Sequence, residues 1–147
     1  MFEEAEKNGL RFECTGCRQC CGGSPGYVWL SKLDIDDLSP SLGLSVDDFI
    51  ASYCKKVRTE QGYAISLRET RDYSCIFLGE QGCDIYAHRP IQCRTYPFWD
   101  EILTGPDAWQ REGDSCPGID AGRLHRPSEI MGEIILRRSN PRLELSS

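Results

Sequence analysis

Four of the chain's nine cysteines lie within eight residues, in the run Cys14-Thr15-Gly16-Cys17-Arg18-Gln19-Cys20-Cys21. The two Cys-x-x-Cys spacings in this run allow both sulfurs of a pair to face one ion. Neighbouring side chains of an extended chain point in opposite directions, so the adjacent Cys20 and Cys21 are expected to serve different sites. Four more cysteines follow, at Cys75, Cys83, Cys93 and Cys116. The pattern predicts eight metal ligands, arranged as two four-ligand sites or as one four-ligand cluster with a second, looser site.

The sequence before the cysteine run indicates the redox compartment. Residues 1–7 are acidic and contain no apolar stretch typical of a secretory signal, so we expect a cytoplasmic protein. In a reducing cytosol, thiols are more often metal ligands than disulfides. The odd number of cysteines and the adjacent pair also fit a disulfide framework poorly. Disulfides or redox-active thiols are the alternative.

Length and charge limit the classes of function. A chain of 147 residues is long enough for one domain with a modest core, so we expect a single domain over residues 1–147, centred on about 12–120. The net charge of −6 disfavours nucleic acid as a partner, because phosphate binding needs a basic surface. A membrane partner is not expected either, because no apolar run approaches the about 20 residues that a membrane span requires.

Hydrophobic periodicity and turn residues predict an α+β fold, a small metal-centred domain of short hairpins and loops with two to three packed helices. The metal centre is expected to replace much of an apolar core. Cys54 lies beside the apolar stripe of a predicted helix, so we expect a buried structural thiol there. Aromatic residues expected in the core are Phe98, Trp99 and Trp109. The predicted elements are an arm at 1–13, strands at 27–30 and 63–67, helices at 32–38, 46–57, 89–96 and about 128–138, a hairpin of 75–78 with 83–86, and a frayed tail at 139–147.

The spacing of the cysteines bears on which metal they bind. A triple Cys-x-x-Cys-x-x-Cys run is typical of chains that wrap an iron–sulfur cluster, although here the fourth cysteine follows at once and no proline follows it. Structural zinc sites usually draw on two separated Cys-x-x-Cys pairs, whereas the downstream thiols of this chain are single. The spacing slightly favours a 4Fe-4S cluster, with zinc as the close alternative.

Basic residues lie beside several of the predicted ligands. A site of several thiolates keeps negative charge, which must be compensated when it is buried. Arg18, Arg89 and Arg94 are therefore candidates to stabilise the cofactor, and ordinary surface arginines are the alternative. The two histidines, His88 and His125, are expected to be exposed or hydrogen-bonded and not to bind metal, because eight thiols are already present.

The whole cysteine pattern resembles that of a known family. Residues Arg89-Pro90-x-x-Cys93-Arg94-x-Tyr96-Pro97-Phe98 and Cys116-Pro117-Gly118 follow the cysteine run as they do in the YkgJ-type cysteine-cluster family, also called the CxxCxxCC zinc- or iron-chelating domain. The resemblance covers about residues 12–120. It implies eight metal-binding cysteines in a small cytoplasmic protein, and Cys54 lies outside its pattern. Flagellin lysine methylases carry a similar cluster within a larger chain, but this chain has no Rossmann-type Gly-x-Gly-x-x-Gly loop, so methylase activity is not carried over.

Three functions compete on these observations. The first is an iron–sulfur accessory or electron-transfer protein that acts with an unidentified protein partner. The second is a zinc-stabilised interaction module. The third is an enzyme or a methylase-related accessory subunit, which is disfavoured because an all-cysteine site has no open position and no catalytic motif is present. Hydrogen-bonded support of the ligand loops is the expected role of the polar residues Asp84, Arg94 and Tyr96.

Overall fold

A computed structural model describes residues 1–14, 26–71, 74–80 and 82–146. These residues form two compact units, Met1–Cys20 with Thr95–Ser139 and Cys21–Arg94 with Asn140–Ser147. The α+β class predicted from the sequence is confirmed, and the described residues contain six α-helices where two to three packed helices were expected. That the chain is a single domain stays a prediction. None of the helices in the described ranges is long and apolar enough to cross a membrane.

The described elements are α1 Glu3–Asn8, β1 Leu10–Phe12, α2 Lys32–Ser41, α3 Val46–Tyr53, β2 Cys54–Arg58, β3 Gly62–Leu67, β4 Leu78–Gly79, β5 Gly82–Cys83, a 3-10 helix Tyr86–His88, α4 Ile91–Thr95, α5 Pro106–Gly113, β6 Ile119–His125, α6 Pro127–Ser139 and β7 Glu144–Ser146.

The first unit is built on the antiparallel pairing of β1 with β6. The pairing joins Leu10 to His125 and, after an irregularity in register, Phe12 to Ile119. Helices α1, α5 and α6 belong to this unit, and their apolar faces form one cluster with the segment before α5. The predicted core positions Phe98 and Trp109 are buried there, and Trp99 is half-buried against them. The buried members of this cluster are Ala5, Leu10, Phe98, Ile102, Leu103, Trp109, Ile130 and Ile134.

The second unit contains a three-stranded sheet in the order β2-β3-β7. Helix α2 begins at Ser31, whose hydroxyl accepts from the Asp34 N–H while the Asp34 carboxylate accepts from the Ser31 N–H, a capping box. Residues 27–30, expected as a strand, lie along β3, because Leu30 N–H donates to Ile65 C=O and Leu67 N–H donates to Val28 C=O. The buried members of the apolar cluster are Leu30, Ile35, Leu38, Phe49, Cys54, Ile65, Leu67, Phe77 and Ile85.

The helix predicted over 46–57 is wrong in its second half. It ends at Tyr53, and Cys54–Arg58 forms β2, paired from Cys54↔Leu67 to Arg58↔Tyr63. The Thr59 N–H bond to Gly62 C=O closes the turn between the two strands. Pairing with β3 supplies backbone hydrogen bonds along Cys54–Arg58. These outweigh the local preference for a helix that the spacing of Val57 from the preceding apolar residues suggested.

The prediction of a frayed tail is also wrong. Residues Glu144–Ser146 form β7, which pairs with Gly62–Ala64 of β3. Before it, Leu143 N–H donates to Leu30 C=O at 2.8 Å, and the Arg142 guanidinium lies over the Trp29 ring, 4.4 Å from its centroid. The tail therefore completes the sheet edge along which residues 28–30 also lie.

Candidate metal centre

The structure describes five of the eight predicted ligands, namely Cys14, Cys75, Cys83, Cys93 and Cys116. The predicted ligands Cys17, Cys20 and Cys21, with Arg18, lie outside the described residues. No disulfide bond joins any two of the described cysteines.

In the first unit, strand pairing brings the ends of the predicted ligand set together. Beyond the Phe12–Ile119 pair, Glu13 N–H donates to Gly118 C=O at 3.3 Å. Cys14 follows Glu13 directly, and Cys116 precedes Gly118 by two residues. A Cβ on Gly118 would lie 2.2 Å from the Glu13 carbonyl oxygen, so this close approach requires glycine. Cys14 and Cys116, more than 100 residues apart in sequence, thus lie within two residues of the same hydrogen-bonded backbone pair.

Cys116 lies in the turn that connects α5 to β6. Its N–H donates to Glu112 C=O at 3.0 Å, and its C=O accepts from Ile119 N–H at 3.2 Å. The Tyr96 hydroxyl donates to the Glu112 carboxylate, and the Cys116 side chain is its second acidic neighbour. Burial first, and then these two acidic neighbours, raise the pKa of Tyr96. A protonated phenol is therefore held between a carboxylate and a thiol.

In the second unit, a short hairpin carries Cys83. A hairpin is present, but its strands are only two residues each and pair Leu78 with Cys83, where 75–78 and 83–86 were predicted. Next to this pair, Asp84 N–H donates to Phe77 C=O at 2.8 Å. The Asp84 carboxylate lies against Gly79, where an added Cβ would be 2.4 Å from it, so a larger residue at this position would displace that side chain. Cys75 begins the same segment through a bridge to Glu69. Both cysteines are half-buried against the apolar cluster of this unit.

Cys93 lies in the first turn of α4, which is shorter than the predicted helix at 89–96. Pro90 C=O accepts from the N–H groups of Cys93 and Arg94 at 2.9 and 3.0 Å. The buried Asp34 carboxylate accepts from Ile91 N–H at 2.9 Å, so the carboxylate that completes the capping box of α2 also satisfies the start of α4. This bond, between residues 57 positions apart, places the Cys93 helix beside α2.

The arginines and histidines close to the predicted ligands in sequence have the following surroundings. The Arg89 guanidinium stacks on the Tyr86 ring at 3.9 Å and donates to Tyr86 C=O, while Arg94 is exposed. His88 pairs with Asp37 at 3.0 Å on the surface. His125 Nε2 donates to Phe12 C=O at 3.0 Å. These contacts show hydrogen-bonded histidines, and the electrostatic role of the arginines stays a prediction.

Cys54 is separate from this arrangement. It is 2% exposed within the apolar cluster of the second unit, where it ends α3 and begins β2. Burial raises the pKa of the Cys54 thiol to about 12, only partly offset by the Arg68 guanidinium. A thiol with this pKa is neutral at physiological pH, as expected for a structural cysteine.

The donor chemistry of the described thiols fits a soft metal. Thiolates suit zinc and iron–sulfur clusters. Four of the five described candidate ligands are half-buried, two of them in strand pairs, one in a helix and one in a turn. Within residues 1–14, 26–71, 74–80 and 82–146, no three His, Cys, Asp or Glu side chains lie close enough together to hold an ion. That Cys17, Cys20 and Cys21 complete the centre stays a prediction.

Two contacts near the site, made by Asp34 and Glu112, could not be predicted from the sequence. The Ser31-x-x-Asp34 spacing is a helix-start signal, but nothing in it indicates the bond from Asp34 to Ile91 N–H. Glu112 lies on α5, a helix missed by the sequence analysis although Gly105-Pro106 is a typical helix start. Both residues act through contacts that join distant segments, which local patterns do not reveal.

Comparison with known proteins agrees with the cysteine pattern. Residues 13–117 match the family described as "CxxCxxCC: Putative zinc- or iron-chelating domain". The chain is also similar to "Uncharacterized protein MJ0661" of Methanocaldococcus jannaschii, with 30% identity over 100 residues, which are 67% of this chain and 50% of that protein. The chain thus spans about half the length of that curated relative. No solved structure matches the chain.

Proposed function

This chain belongs to the CxxCxxCC family of zinc- or iron-chelating domains, and from that premise we propose that its cysteines hold an iron–sulfur cluster. The cluster would serve an unidentified protein partner, with the chain acting as an electron carrier or an accessory subunit. Metal binding follows from the family; the cluster and the partner are the proposal.

The observation that carries the proposal is the junction of β1 with β6. Glu13 and Gly118 share a backbone hydrogen bond, which places Cys14, the first thiol of the run, near Cys116, the last of the eight. Packing does not require cysteines at both positions, because Cys14 is exposed. A shared metal is a physical reason for two distant thiols at one junction.

The choice of iron–sulfur over zinc is supported by the run itself. Three cysteines at Cys-x-x-Cys-x-x-Cys spacing can contribute three thiolates from one loop, and a single downstream cysteine can complete the set. Cys83, Cys93 and Cys116 are each single and each half-buried. A bound cluster would supply one-electron chemistry, at a potential set by burial and by hydrogen bonds to the sulfurs.

A zinc-stabilised interaction module is the second candidate. The observation that favours it is the all-cysteine donor set, because a structural zinc site is closed by four protein ligands. The same closed set speaks against a catalytic metal, which keeps an open position for water. An enzyme or a methylase-related accessory subunit is therefore the least supported function.

Metal analysis of protein purified without oxygen separates the two candidates. An iron–sulfur protein is expected to be brown, to contain iron and acid-labile sulfide, and to absorb near about 400 nm from thiolate-to-iron charge transfer. Cys116→Ser should lower the iron content, and the matched control Cys54→Ala should retain it. A colourless protein with stoichiometric zinc would replace the first candidate by the second. A protein without bound metal under these conditions would overturn both.

A further inference from the structure

The side chain of Gln92 makes a paired contact with the backbone of residues 27–29. Its Oε1 accepts from Trp29 N–H at 3.0 Å, and its Nε2 donates to Tyr27 C=O at 2.8 Å. A carboxamide carries one acceptor and one donor in a plane, so it matches the N–H and C=O of a neighbouring strand. The two bonds also orient the amide unambiguously, because each of its ends faces a backbone group of fixed type.

The contact joins two segments that flank predicted ligands. Gln92 precedes Cys93, and Tyr27 follows Cys21 by six residues. The other neighbour in α4, Ile91, is held by the buried Asp34. We infer that Gln92 is a positioning residue, which fastens the segment after the cysteine run to the Cys93 helix before metal binds. This inference rests on the proposed function, because it needs these cysteines to be metal ligands.

The physical effect of the contact is on the cost of assembling the site. Backbone bonds to Ile65 and Leu67 already hold residues 28–30 along β3, and the Gln92 contact fixes the start of this segment against α4 as well. Each such anchor shortens the free chain whose ends must be brought together, which lowers the entropy cost of closing the site. With the Gln92 contact, only six residues connect Cys21 to a point fixed beside Cys93. Part of the ordering is therefore complete in the metal-free protein. Residues that orient metal ligands through hydrogen bonds typically contribute about 10- to 100-fold to metal affinity.

The test uses the metal-free full chain and Zn²⁺ under reducing, oxygen-free conditions. Gln92→Met removes both hydrogen bonds and keeps a side chain of similar length. We expect about 10- to 100-fold weaker Zn²⁺ binding, measured by competition with a chromogenic chelator. The Trp29 amide should also exchange its hydrogen faster in the metal-free variant, which follows the bond directly. Gln110→Met, the same change at an exposed position of α5, should alter neither quantity.

A second control separates positioning from general loss of stability. Ile65→Val removes a buried methyl group from β3 of the same unit, so it lowers stability without touching the contact. Ile65→Val should bind Zn²⁺ with the wild-type affinity. The same result is expected when Ile65→Val and Gln92→Met are compared at temperatures at which each has lost the same free energy of unfolding. If Gln92→Met binds Zn²⁺ as tightly as the wild type, the inference is overturned and the proposed function stands. If the wild type does not bind Zn²⁺, the inference is overturned, and the metal analysis of protein purified without oxygen decides the proposed cluster separately.

A milder variant decides the question if Gln92→Met does not fold. Gln92→Glu keeps the acceptor for Trp29 N–H but places a carboxylate oxygen against Tyr27 C=O, so one bond of the two is lost. Its Zn²⁺ affinity should lie between those of the wild type and a variant that lacks both bonds. Wild-type affinity and wild-type Trp29 exchange in Gln92→Glu would count against the positioning role.

Discussion

Cys54 and Cys14 have opposite environments, although both are cysteines of one chain. Cys54 is 2% exposed, and burial raises its pKa to about 12, whereas Cys14 is exposed. The thiolate is the species that alkylating reagents attack, and at pH 8 it forms about 1 in 10,000 of Cys54 residues. In the metal-free folded protein, iodoacetamide should therefore modify Cys14 readily and Cys54 only after denaturation. Peptide mass spectrometry measures both, and early labelling of Cys54 would contradict its burial.

The same raised pKa predicts a pH dependence of stability. The Cys54 thiol has an ordinary pKa of 9.0 in the unfolded chain and about 12 in the folded chain. The unfolded state thus releases its proton first, and the contribution of Cys54 is complete below pH 9 and is lost as pH rises toward 12. Urea unfolding should show a steeper loss of stability across this window for the wild type than for Cys54→Ala. Parallel pH profiles for the two proteins would refute the assignment.

Tyr96 is the residue that links the turn at Cys116 to α5. Its hydroxyl donates to the Glu112 carboxylate, which is half-buried and loses this donor in Tyr96→Phe. We expect the free energy of unfolding to fall by about 1 kcal/mol, as is typical for a half-buried acceptor left without its partner. Tyr86→Phe is the matched control, because Tyr86 is 59% exposed and its loss should stay within about 0.5 kcal/mol. Denaturant unfolding of both variants in the metal-free state makes the comparison, and equal losses would show that the hydroxyl contact contributes nothing.

At the scale of elements, the junction of β1 with β6 depends on one glycine. A Cβ at Gly118 would lie 2.2 Å from the Glu13 carbonyl oxygen, so Gly118→Ala must push the two backbones apart. We expect a loss of about 1–3 kcal/mol, typical of overpacking, together with less bound metal per chain. Gly132→Ala is the matched control in α6. It meets no atom within 4 Å and should stabilise the helix by about 1 kcal/mol. Metal content and denaturant unfolding test both, and full metal content in Gly118→Ala would argue against a shared site at this junction.

The elements also show what local sequence patterns could and could not predict. Ser31 and Ser45 mark the starts of α2 and α3 correctly, because capping is a contact between residues three positions apart. The end of α3 was misplaced, since β2 is specified by its pairing with β3 and not by its own spacing. Strand β6 was not predicted because its sequence is largely polar and lacks a regular alternation. Its backbone is also irregular, with positive φ angles at Asp120 and Gly122. Contacts between distant segments account for these errors.

In the candidate site, too, local patterns could be predicted and contacts between distant segments could not. The spacing of the cysteines predicted metal binding, and the family match agrees with that prediction, whereas the individual ligands stay a prediction. The side chains that fix segments next to the cysteines, Asp34, Gln92 and Glu112, could not be identified, because each bonds to a group at least 16 residues away. Ligands of one metal often repeat at short spacing, whereas the residues that orient them are fixed only by the fold.

At the scale of the whole molecule, the expectation that metal replaces much of the apolar core needs revision. Each unit has its own buried cluster, with large side chains such as Phe49 in one and Trp109 in the other. The candidate ligands Cys75 and Cys83 pack against the edge of one such cluster and are not among its buried members. The apolar contacts within each unit therefore do not depend on a metal ion, and burial of apolar surface is the larger favourable contribution to folding.

Metal removal should accordingly loosen the protein and not unfold it. We expect chelation under reducing conditions to leave most of the far-ultraviolet circular dichroism, because α3 and α6 pack on apolar side chains and not on the thiols. The thermal midpoint should fall, since a bound metal stabilises only the folded state. Hydrogen exchange should increase most in the backbone beside Cys83, Cys93 and Cys116 and least at Ile130 and Ile134 of α6. The reference is the same preparation reloaded with metal, which should regain the original exchange pattern. A chain that loses all its helical signal on chelation would instead be a domain folded by its metal, as small zinc fingers are, and the two apolar clusters would then be insufficient on their own.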